Sequence, residues 1–476
     1  MDIRLSFLII SLASLSFSHG TDVTFLESSS SSSTSDSLAA FTVSVTDSDA
    51  NGDTSVDEST GANHANGTHN STSSHEPTRH NSTFVDGKDT GRKVSAYYPS
   101  YNAEFGPLSE VNYELYDELI FFTATTNSNF TIGLGGIEET QWDALANDFV
   151  HRCKNASVTP TLAIGGWTGS LYFSDLVATA ENRTTFANSL VEFAKKYEFD
   201  GVDLDWEWPS LQGIGCNAVR DDDIENLGLF LEELRKIWPQ MRLTLASSVA
   251  GVRDSTFAAV SAERVASLVK NLDNLHMMAY DVFGGWSSTT GPLAPLSDQC
   301  AESADQLSVQ RAYETYIRQG FSKEQLVVGI PTYARSFGLE SPTLVPKTVG
   351  NYTTYYYQNF TSVQTGGAAD DKPGVDVCGQ ATGWGGTWMV KELIENGFLS
   401  ESEKEGLNGF TLYQDECSGV PFLASNTTLI SFDDTQSSVK KAKWARESGL
   451  GGIYFFDAIA GLDRTVKHSR EEFLKN

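Results

Sequence analysis

The sequence predicts an α/β protein built as a closed (β/α)8 barrel, that is, a TIM barrel. From Lys93 onward, short apolar runs alternate with amphipathic stretches, which is typical of strand–helix units around a parallel sheet. Eight such apolar runs are present, and eight parallel strands close this type of barrel. The 476 residues are 40% hydrophobic and 20% charged, an ordinary globular composition with enough apolar side chains for a large core.

The predicted elements can be assigned in chain order. We expect strands at 93–98, 118–123, 159–165, 201–207, 242–247, 274–280, 326–333 and 452–456. We expect helices between them at 185–197, 224–237, 262–269, 308–319 and 437–448. In the second of these helices, Leu227, Leu231 and Leu234 recur at the spacing of one helical face. The seventh and eighth strands are separated by more residues than one helix needs, so we predict a small α+β insertion at 338–412.

The chain before residue 93 differs in composition from the rest. Arg4 precedes an uninterrupted apolar and small-residue run at 5–17, which predicts a signal peptide at 1–20. Residues 21–92 are rich in Ser, Thr, Asp and Asn, and they predict a disordered Ser/Thr-rich glycosylated segment because they have too few apolar side chains to build a core. The barrel is expected at 93–476. No other apolar run is long enough to span a bilayer, so we expect a secreted, extracellular protein that does not bind a membrane.

The protein is strongly acidic, with a formal net charge of −29 and a pI near 4.5. Polyanions would be repelled, so no nucleic acid and no anionic membrane is expected as a partner, whereas a neutral polymer is compatible. Asn-x-Ser/Thr sequences, the acceptors for N-glycosylation in a secreted protein, occur at Asn66, Asn70, Asn81, Asn129, Asn155, Asn182, Asn351, Asn359 and Asn426.

The cysteines favour disulfides over metal binding. The five residues, none in Cys-x-x-Cys spacing, are Cys153, Cys216, Cys300, Cys378 and Cys417. We therefore expect no metal and no cofactor, and in an oxidising compartment up to two disulfides and one free thiol. Because Cys378 and Cys417 fall in or beside the predicted insertion, we predict that they pair.

An acidic stretch at the end of the fourth predicted strand is the most informative part of the sequence. Asp203, Asp205 and Glu207 alternate with apolar residues, so their carboxyl groups share one face of the strand. Neighbouring carboxylates repel each other, so at least one should hold a proton at neutral pH and be available as a general acid. Asp200 has the opposite parity and is assigned a structural role. A metal site or a merely solvated barrel mouth is the alternative, but metal sites seldom space acids along one strand without His or carbonyl partners.

The pattern Asp-x-x-Asp-x-Asp-x-Glu, formed by Asp200, Asp203, Asp205 and Glu207, resembles the signature of glycoside hydrolase family 18, the chitinases and their relatives. The resemblance covers roughly everything after Lys93. It implies a TIM barrel whose insertion forms one wall of a substrate groove. It also implies hydrolysis of the β-1,4 bonds between N-acetylglucosamine units of chitin or chitooligosaccharides, with retention of configuration, by a monomer. In this family the 2-acetamido group of the sugar attacks the anomeric carbon, so the enzyme needs no nucleophile of its own.

The same resemblance implies roles for individual residues. Glu207 would be the general acid and later the base, Asp205 would orient the acetamido N–H, and Asp203 would support Asp205. Tyr280 would hydrogen-bond the acetamido carbonyl, although a core tyrosine is the alternative. The implied substrate-binding residues are Tyr97, Gly166, Trp167, Asp281, Tyr333, Arg335 and Phe456.

The chain departs from the family pattern at two positions. Ala163 stands where the family usually has serine, so we expect Asp203 to lack one hydrogen bond. Phe456 stands where a tryptophan usually forms the floor of the cleavage subsite, which predicts weaker ground-state binding because the apolar face is smaller. Trp286, Trp384 and Trp388 are further candidates for stacking on sugars, or alternatively for packing in the core.

Other functions are compatible with parts of the sequence. An endo-β-N-acetylglucosaminidase acting on N-glycans belongs to the same family, although the insertion and its aromatic residues favour a long polymer groove. A chitinase-like lectin would typically lose the acid that Glu207 provides here. A structural wall glycoprotein would account for the Ser-rich segment but not for the acidic strand.

Overall fold

The computed structural model describes residues 91–475. The predicted signal peptide at 1–20 and nearly all of the predicted Ser/Thr-rich segment at 21–92 lie outside these residues. The strands, in chain order, are β1 (Lys93–Pro99), β2 (Glu118–Thr126), β3 (Ile132–Gly133), β4 (Thr159–Gly165), β5 (Gly201–Asp205), β6 (Arg242–Ser248), β7 (Asn274–Met278), β8 (Leu326–Pro331), β9 (Tyr333–Leu339), β10 (Lys347–Val349), β11 (Tyr352–Thr354), β12 (Phe360–Val363), β13 (Gly374–Val375), β14 (Ala381–Thr382), β15 (Thr387–Met389), β16 (Thr411–Tyr413), β17 (Phe422–Ala424), β18 (Thr428–Ser431) and β19 (Gly452–Phe456).

Eight of these strands form a closed parallel barrel, which confirms the predicted fold class. Their order is β1, β2, β4, β5, β6, β7, β8 and β19, and β1 pairs in parallel with both β2 and β19 to complete the ring. The predicted strand ranges overlap all eight observed ones. The fourth strand ends at Asp205 rather than at Glu207, so Trp206 and Glu207 lie at the start of the loop that follows it.

Helices cover the outside of the barrel. They are α1 (Glu139–Asn155), α2 (Phe173–Val177), α3 (Ala180–Lys196), α4 (Asp223–Ile237), α5 (Ala266–Asn271), α6 (Val309–Arg318), α7 (Val390–Glu395), α8 (Thr435–Ser448) and α9 (Asp463–Phe473). The face of α4 predicted from Leu227, Leu231 and Leu234 is buried. None of the helices within residues 91–475 has the length and apolar character that a bilayer-spanning segment requires.

The segment between β8 and β19 contains the predicted α+β elements. In its main sheet, β9 pairs with β12, β15 and β18, and β17 lies between β18 and β16. This sheet extends from Tyr333 to Ser431, beyond both ends of the interval 338–412. It has its own apolar cluster, which contains Ala334, Val390, Leu393, Leu399, Leu423, Ile430 and Phe432. We call the segment from β9 to β18 the insertion.

Two disulfides join the insertion to the barrel, and the predicted Cys378–Cys417 pair is wrong. Cys216, in the loop after β5, is bonded to Cys378, and Cys300, in the loop after β7, is bonded to Cys417. The two cysteines of the insertion are close in sequence but reach different barrel loops. Cys153 is free and buried in α1, so the expected number of bridges and the leftover thiol are confirmed.

An ion pair is buried at the N-terminal end of the barrel strands. The Nη2 atom of Arg242 lies 2.9 Å from Oε2 of Glu118, and the Thr161 hydroxyl donates to Oε1 of Glu118 at 2.7 Å. Burial alone would raise the pKa of Glu118, but the charge and hydrogen bonds of Arg242 prevail and lower this pKa to about 2. The pair therefore connects strands β2, β4 and β6 through a carboxylate that stays ionised.

We expect Glu118→Gln to lower the free energy of unfolding at pH 7 by about 3 kcal/mol, because it leaves Arg242 buried without a charged partner. The ionised form of Glu118 is favoured only in the folded protein. Its contribution is therefore complete above the unfolded pKa of about 4.3 and is lost as the pH falls towards the folded pKa of about 2. Urea unfolding of wild type and variant at pH 7 and pH 3 should show the difference narrowing at the lower pH. Glu192→Gln, at an exposed position on α3, is the control; an equal loss at both pH values would contradict the prediction.

Candidate active site

The acidic stretch points its carboxyl groups into the mouth of the barrel. Val202 and Leu204 on the opposite face of β5 are fully buried, and Trp206 stacks on Phe173 with ring centroids 5.2 Å apart. Asp203 and Asp205 are buried on the inner face. The alternation expected from the sequence is therefore present, because successive strand residues point to opposite faces.

Asp203 receives two hydrogen bonds from neighbouring strands. The Tyr97 hydroxyl donates to its Oδ2 at 2.8 Å, and the Thr244 hydroxyl donates to its Oδ1 at 2.5 Å. Thr244 lies opposite Asp203 in the β5–β6 register, and Ala163 lies opposite it on β4. The hydrogen bond expected to be missing at Ala163 is thus replaced by one from the other side. Sequence reasoning missed Thr244, although its inward parity on the adjacent strand was a usable signal.

His276 extends this network deeper into the barrel. Its Nδ1 atom lies 3.0 Å from the Tyr97 hydroxyl and 3.6 Å from Oδ1 of Asp203. Complete burial lowers the pKa of His276 to about 3, so the ring is neutral. With its proton on Nδ1, the ring donates to Tyr97 while Tyr97 donates to Asp203. His276 was not predicted from the sequence.

Desolvation governs the protonation of all three carboxyl groups. Burial raises the pKa of Asp203 to about 7, against the opposing hydrogen bonds from Thr244 and Tyr97. Burial, followed by the charges of Glu207 and Asp203, raises the pKa of Asp205 well above its ordinary value. Burial and the charge of Asp281 raise the pKa of Glu207 to about 8. At neutral pH the group holds protons, as the sequence predicted, and its titration belongs to the cluster rather than to single residues.

Two glycines allow the loop after β4 to approach this cluster. Gly165 has φ of 116°, and a Cβ atom there would lie 2.0 Å from the carbonyl oxygen of Asp205. Gly166 has φ of 80° and donates its N–H to the same carbonyl at 2.7 Å. Any side chain at Gly165 would collide with the backbone of β5. Trp167 follows directly and is 49% exposed.

Ser170 connects the same loop to Glu207. Its Oγ atom accepts the backbone N–H of Glu207 at 3.0 Å and lies 3.0 Å from the carbonyl oxygen of Asp205. On the other side, the Asn217 side chain donates to the Glu207 carbonyl at 3.2 Å. The backbone of Glu207 is therefore held from both sides, and neither Ser170 nor Asn217 was predicted.

Tyr280 is buried at the end of β7 and is hydrogen-bonded to a second tyrosine. Its hydroxyl lies 3.0 Å from that of Tyr454, which donates to the carbonyl oxygen of Met277 at 3.2 Å. Because Tyr454 gives its proton to Met277, Tyr280 is the donor between the two hydroxyls. Tyr454 was missed in the sequence, although it has inward parity on β19.

A phenylalanine packs near this tyrosine pair. Phe456, at the end of β19, is half-buried, and its ring centroid is 5.5 Å from Tyr97, 5.6 Å from Phe122 and 5.8 Å from Tyr280. These contacts place the phenylalanine against the tyrosines and beside β2, which carries Phe122. The contact of Phe456 with a sugar stays a prediction.

The insertion contributes a charged and aromatic wall. Arg335 on β9 forms a bidentate ion pair with Asp281, with Nε–Oδ1 and Nη2–Oδ2 distances of 2.6 and 2.9 Å. Its guanidinium carbon lies 4.9 Å from the ring centroid of Trp286 and 5.6 Å from that of Tyr333. These contacts connect the loop after β7 with the insertion.

The three tryptophans left open by the sequence differ in environment. Trp286 and Trp384 are 43% and 38% exposed. Trp388 packs on Phe398 at 5.3 Å beside the apolar cluster of the insertion, so it belongs to that core. No group of three or more His, Cys, Asp or Glu side chains within residues 91–475 is arranged to hold a metal ion.

A closed barrel with protonated carboxyl groups at the C-terminal end of a strand is compatible with a glycoside hydrolase. Residues 93–460 match the sequence model of Glycosyl hydrolases family 18, and the chain belongs to this family. It is 34% identical over 372 residues to a protein named chitinase-like effector from Moniliophthora roreri, across 77% of this chain and 88% of that protein. It is 30% identical over 335 residues to Chitinase A1 from Niallia circulans, across 66% of this chain and 42% of that protein. The crystal structure of a chitinase from Rhizomucor miehei superposes with a TM-score of 0.68 at 25% identity, covering 81% of this chain and 100% of that one.

The hydrogen bond from Thr244 should lower the pKa of the Asp203 carboxyl group by a measurable amount. Thr244→Val keeps the shape but removes the donor, so the pKa of Asp203 should rise above its wild-type value of about 7. A pH titration of the Asp203 carboxyl by carbon NMR would measure it. Thr244→Ser keeps the donor and should leave the pKa near wild type, whereas Ala163→Ser adds a donor and should lower it. An unchanged pKa in Thr244→Val would show that this hydrogen bond is absent in solution.

Proposed function

We propose that the protein is a secreted chitinase that hydrolyses β-1,4 bonds between N-acetylglucosamine units with retention of configuration. The observation that carries this proposal is the desolvated pair Asp205 and Glu207, in which burial and the charge of Asp281 raise the pKa of Glu207 to about 8. A carboxylic acid that stays protonated at neutral pH in a groove is suited to protonate a leaving oxygen. The chitinase relatives of the chain supply the choice of sugar.

The proposed reaction needs no nucleophile from the protein. Glu207 gives its proton to the glycosidic oxygen while the acetamido oxygen of the sugar bonds to the anomeric carbon, and the bond to the leaving sugar breaks. Asp205 accepts a hydrogen bond from the acetamido N–H and stabilises the resulting cation. Glu207, now a carboxylate, then removes a proton from the water that attacks the anomeric carbon, and the bond between this carbon and the acetamido oxygen breaks. Two displacements on the same carbon retain the β configuration.

Asp205 has an unpaired oxygen atom that can accept a hydrogen bond from the substrate, and Asp203 supports it from behind. Oδ1 of Asp205 is buried and has no hydrogen-bond partner within the described part of the chain, so it is available to an incoming N–H. Asp203, held by Tyr97 and Thr244, lies behind it as a second carboxyl that can share protons. Asp203 and the residues bonded to it therefore act as positioning groups.

The remaining predicted residues would bind the sugars. Tyr280 would turn its hydroxyl proton from Tyr454 to the acetamido carbonyl, and Phe456 would lie under the ring at the cleavage site. The other proposed binding residues are Gly166, Trp167, Asp281, Tyr333 and Arg335. Chitin and chitooligosaccharides are the proposed partners of a monomeric enzyme that uses no cofactor.

Secretion is part of the proposal. The predicted signal peptide leads to export, and the two disulfides are of a kind that persists in oxidising, extracellular environments. The acidic surface is compatible with a neutral polysaccharide.

A second candidate is a protein that binds chitooligosaccharides without cleaving them. It is favoured by the name of one relative, chitinase-like effector. The retained Glu207 favours the enzyme. Turnover of an oligomer distinguishes the two functions directly.

Glu207→Gln should remove turnover and leave binding. The amide has the shape of the acid but cannot deliver a proton, and general acid catalysis contributes about 10²–10⁴-fold. We therefore expect kcat on N-acetylglucosamine hexamer to fall by about 10³-fold with oligomer affinity nearly unchanged. Proton NMR of wild-type products should show the β anomer first. Glu192→Gln is the matched control, and near-normal turnover by Glu207→Gln would reject the assignment, whereas a wild-type protein that binds hexamer without cleaving it would support the second candidate.

Activity should decline in mildly alkaline solution because Glu207 must be protonated to act. With its pKa raised to about 8 by burial and by Asp281, kcat/KM should fall as the pH rises through about 8. Asp281→Asn removes the neighbouring charge, lowers the pKa of Glu207 and should move this decline to lower pH. Glu192→Gln removes an equal charge at a distant site and should not move it. A decline at the same pH in Asp281→Asn would show that Asp281 does not act on the essential acid.

A further inference from the structure

The Cys216–Cys378 disulfide joins two sides of the candidate site. Cys378 lies at the tip of the hairpin formed by β13 and β14, and Cys216 lies in the loop that follows Glu207. Their Cα atoms are 5.6 Å apart although 162 residues separate them in sequence. We call residues 366–386, which carry this hairpin out of the insertion and back, the strap.

The base of the strap is held firmly on the insertion. Oδ1 of Asp370 accepts the backbone N–H of Thr387 at 2.8 Å, and its Oδ2 accepts that of Gly366 at 2.7 Å. The two arms are joined where Gly385 donates its N–H to the carbonyl oxygen of Asp371 at 3.0 Å. Thr387 pairs with Arg335 in the sheet, so the strap starts beside the Asp281–Arg335 ion pair.

The tip of the strap depends on the disulfide for its attachment. The turn is closed internally, because Oδ1 of Asp376 accepts the N–H groups of Cys378 and Gln380 at 2.9 and 2.8 Å. Val375 and Val377 are 72% and 54% exposed, so they pack on little. Within residues 91–475, the hydrogen bonds of residues 374–382 stay inside the hairpin. Cys216 precedes Asn217, whose side chain holds the Glu207 carbonyl.

The strap joins two parts of the barrel that are not neighbours in the ring of strands. In the ring of strands, β5 and β8 are separated by β6 and β7, and the strap joins the loop after β5 to the strand that follows β8. Within residues 91–475, residues 374–382 form no hydrogen bond to the loops after β6 and β7, which make up the rim between these two strands.

We propose that the disulfide-tethered strap closes the groove above Glu207 into a passage that a polysaccharide enters by its end and not from the side. A closed ring is formed by the strap, the disulfide, the barrel strands and the insertion. The tip of the strap is attached to this ring through one disulfide. A polymer cannot cross this ring sideways while the bridge is intact. The substrate class rests on the proposed chitinase function, whereas the direction of entry rests on the disulfide and the strap.

The test compares two probes that differ only at their ends, with binding as the readout. One probe is a free N-acetylglucosamine octamer, and the other is the same octamer with a folded protein attached to each end. Glu207→Gln is used as the background so that neither probe is cleaved. With the bridge intact, the blocked octamer should bind about tenfold or more weakly than the free one. In Cys216→Ser/Cys378→Ser, which changes only exposed or half-exposed positions, the two affinities should become nearly equal.

Two further variants keep the result interpretable. Cys300→Ala/Cys417→Ala removes the other bridge between barrel and insertion and should still exclude the blocked octamer. Replacement of residues 375–381 by Gly-Gly, together with Cys216→Ser, removes the tip of the strap and should admit it. Equal binding of both probes by the bridged protein, or continued exclusion by both strap variants, would overturn the proposal. Failure of every protein to bind the free octamer would instead overturn the proposed function, and with it the substrate assigned to the passage.

Discussion

The structure depends on keeping three carboxyl groups together in a place from which water is largely excluded. Asp203, Asp205 and Glu207 have no cationic partner within hydrogen-bonding distance among the described residues, so burial raises the pKa of each. Repulsion adds to this effect at Asp205, from Glu207 and Asp203, and at Glu207, from Asp281. Residues of the surrounding barrel hold the three acids in these positions. Tyr97 and Thr244 donate to Asp203, Gly165 lets the neighbouring loop close over the Asp205 backbone, and both sides of the Glu207 backbone are held by side chains. A group of acids prepared in this way exchanges protons near neutral pH instead of remaining fully ionised.

At the N-terminal ends of the barrel strands, by contrast, a buried carboxyl group stays ionised. Glu118 is equally buried, but Arg242 binds it directly and lowers its pKa to about 2. Between the two ends, His276 is held neutral by burial, with a pKa of about 3. One barrel interior therefore contains a permanent ion pair at the N-terminal ends of the strands and protonatable acids at the C-terminal ends. The difference follows from the presence or absence of a cation within hydrogen-bonding distance, since burial is common to both.

The insertion is attached to the site at three points. Its sheet continues almost directly from β8, so Arg335 lies within reach of Asp281. The two disulfides tie it to the loops after β5 and β7. The loops that carry Glu207 and Asp281 are thereby connected to one body, which limits their independent movement.

The sequence by itself determined the barrel, the order of its strands and the inward row of acids, because each of these depends on local alternation and on spacing along one chain. It also indicated the correct number of disulfides. It did not determine their pairing: Cys378 and Cys417 lie near each other in sequence, but the strap and the β16–β17 loop lead them to different parts of the barrel.

In the same way, Ala163 suggested a lost hydrogen bond, and only the register of β5 against β6 showed that Thr244 supplies one. Tyr454 and His276 were missed for the same reason. Contacts between residues far apart in sequence arise when the barrel closes, and closure is a property of the tertiary structure.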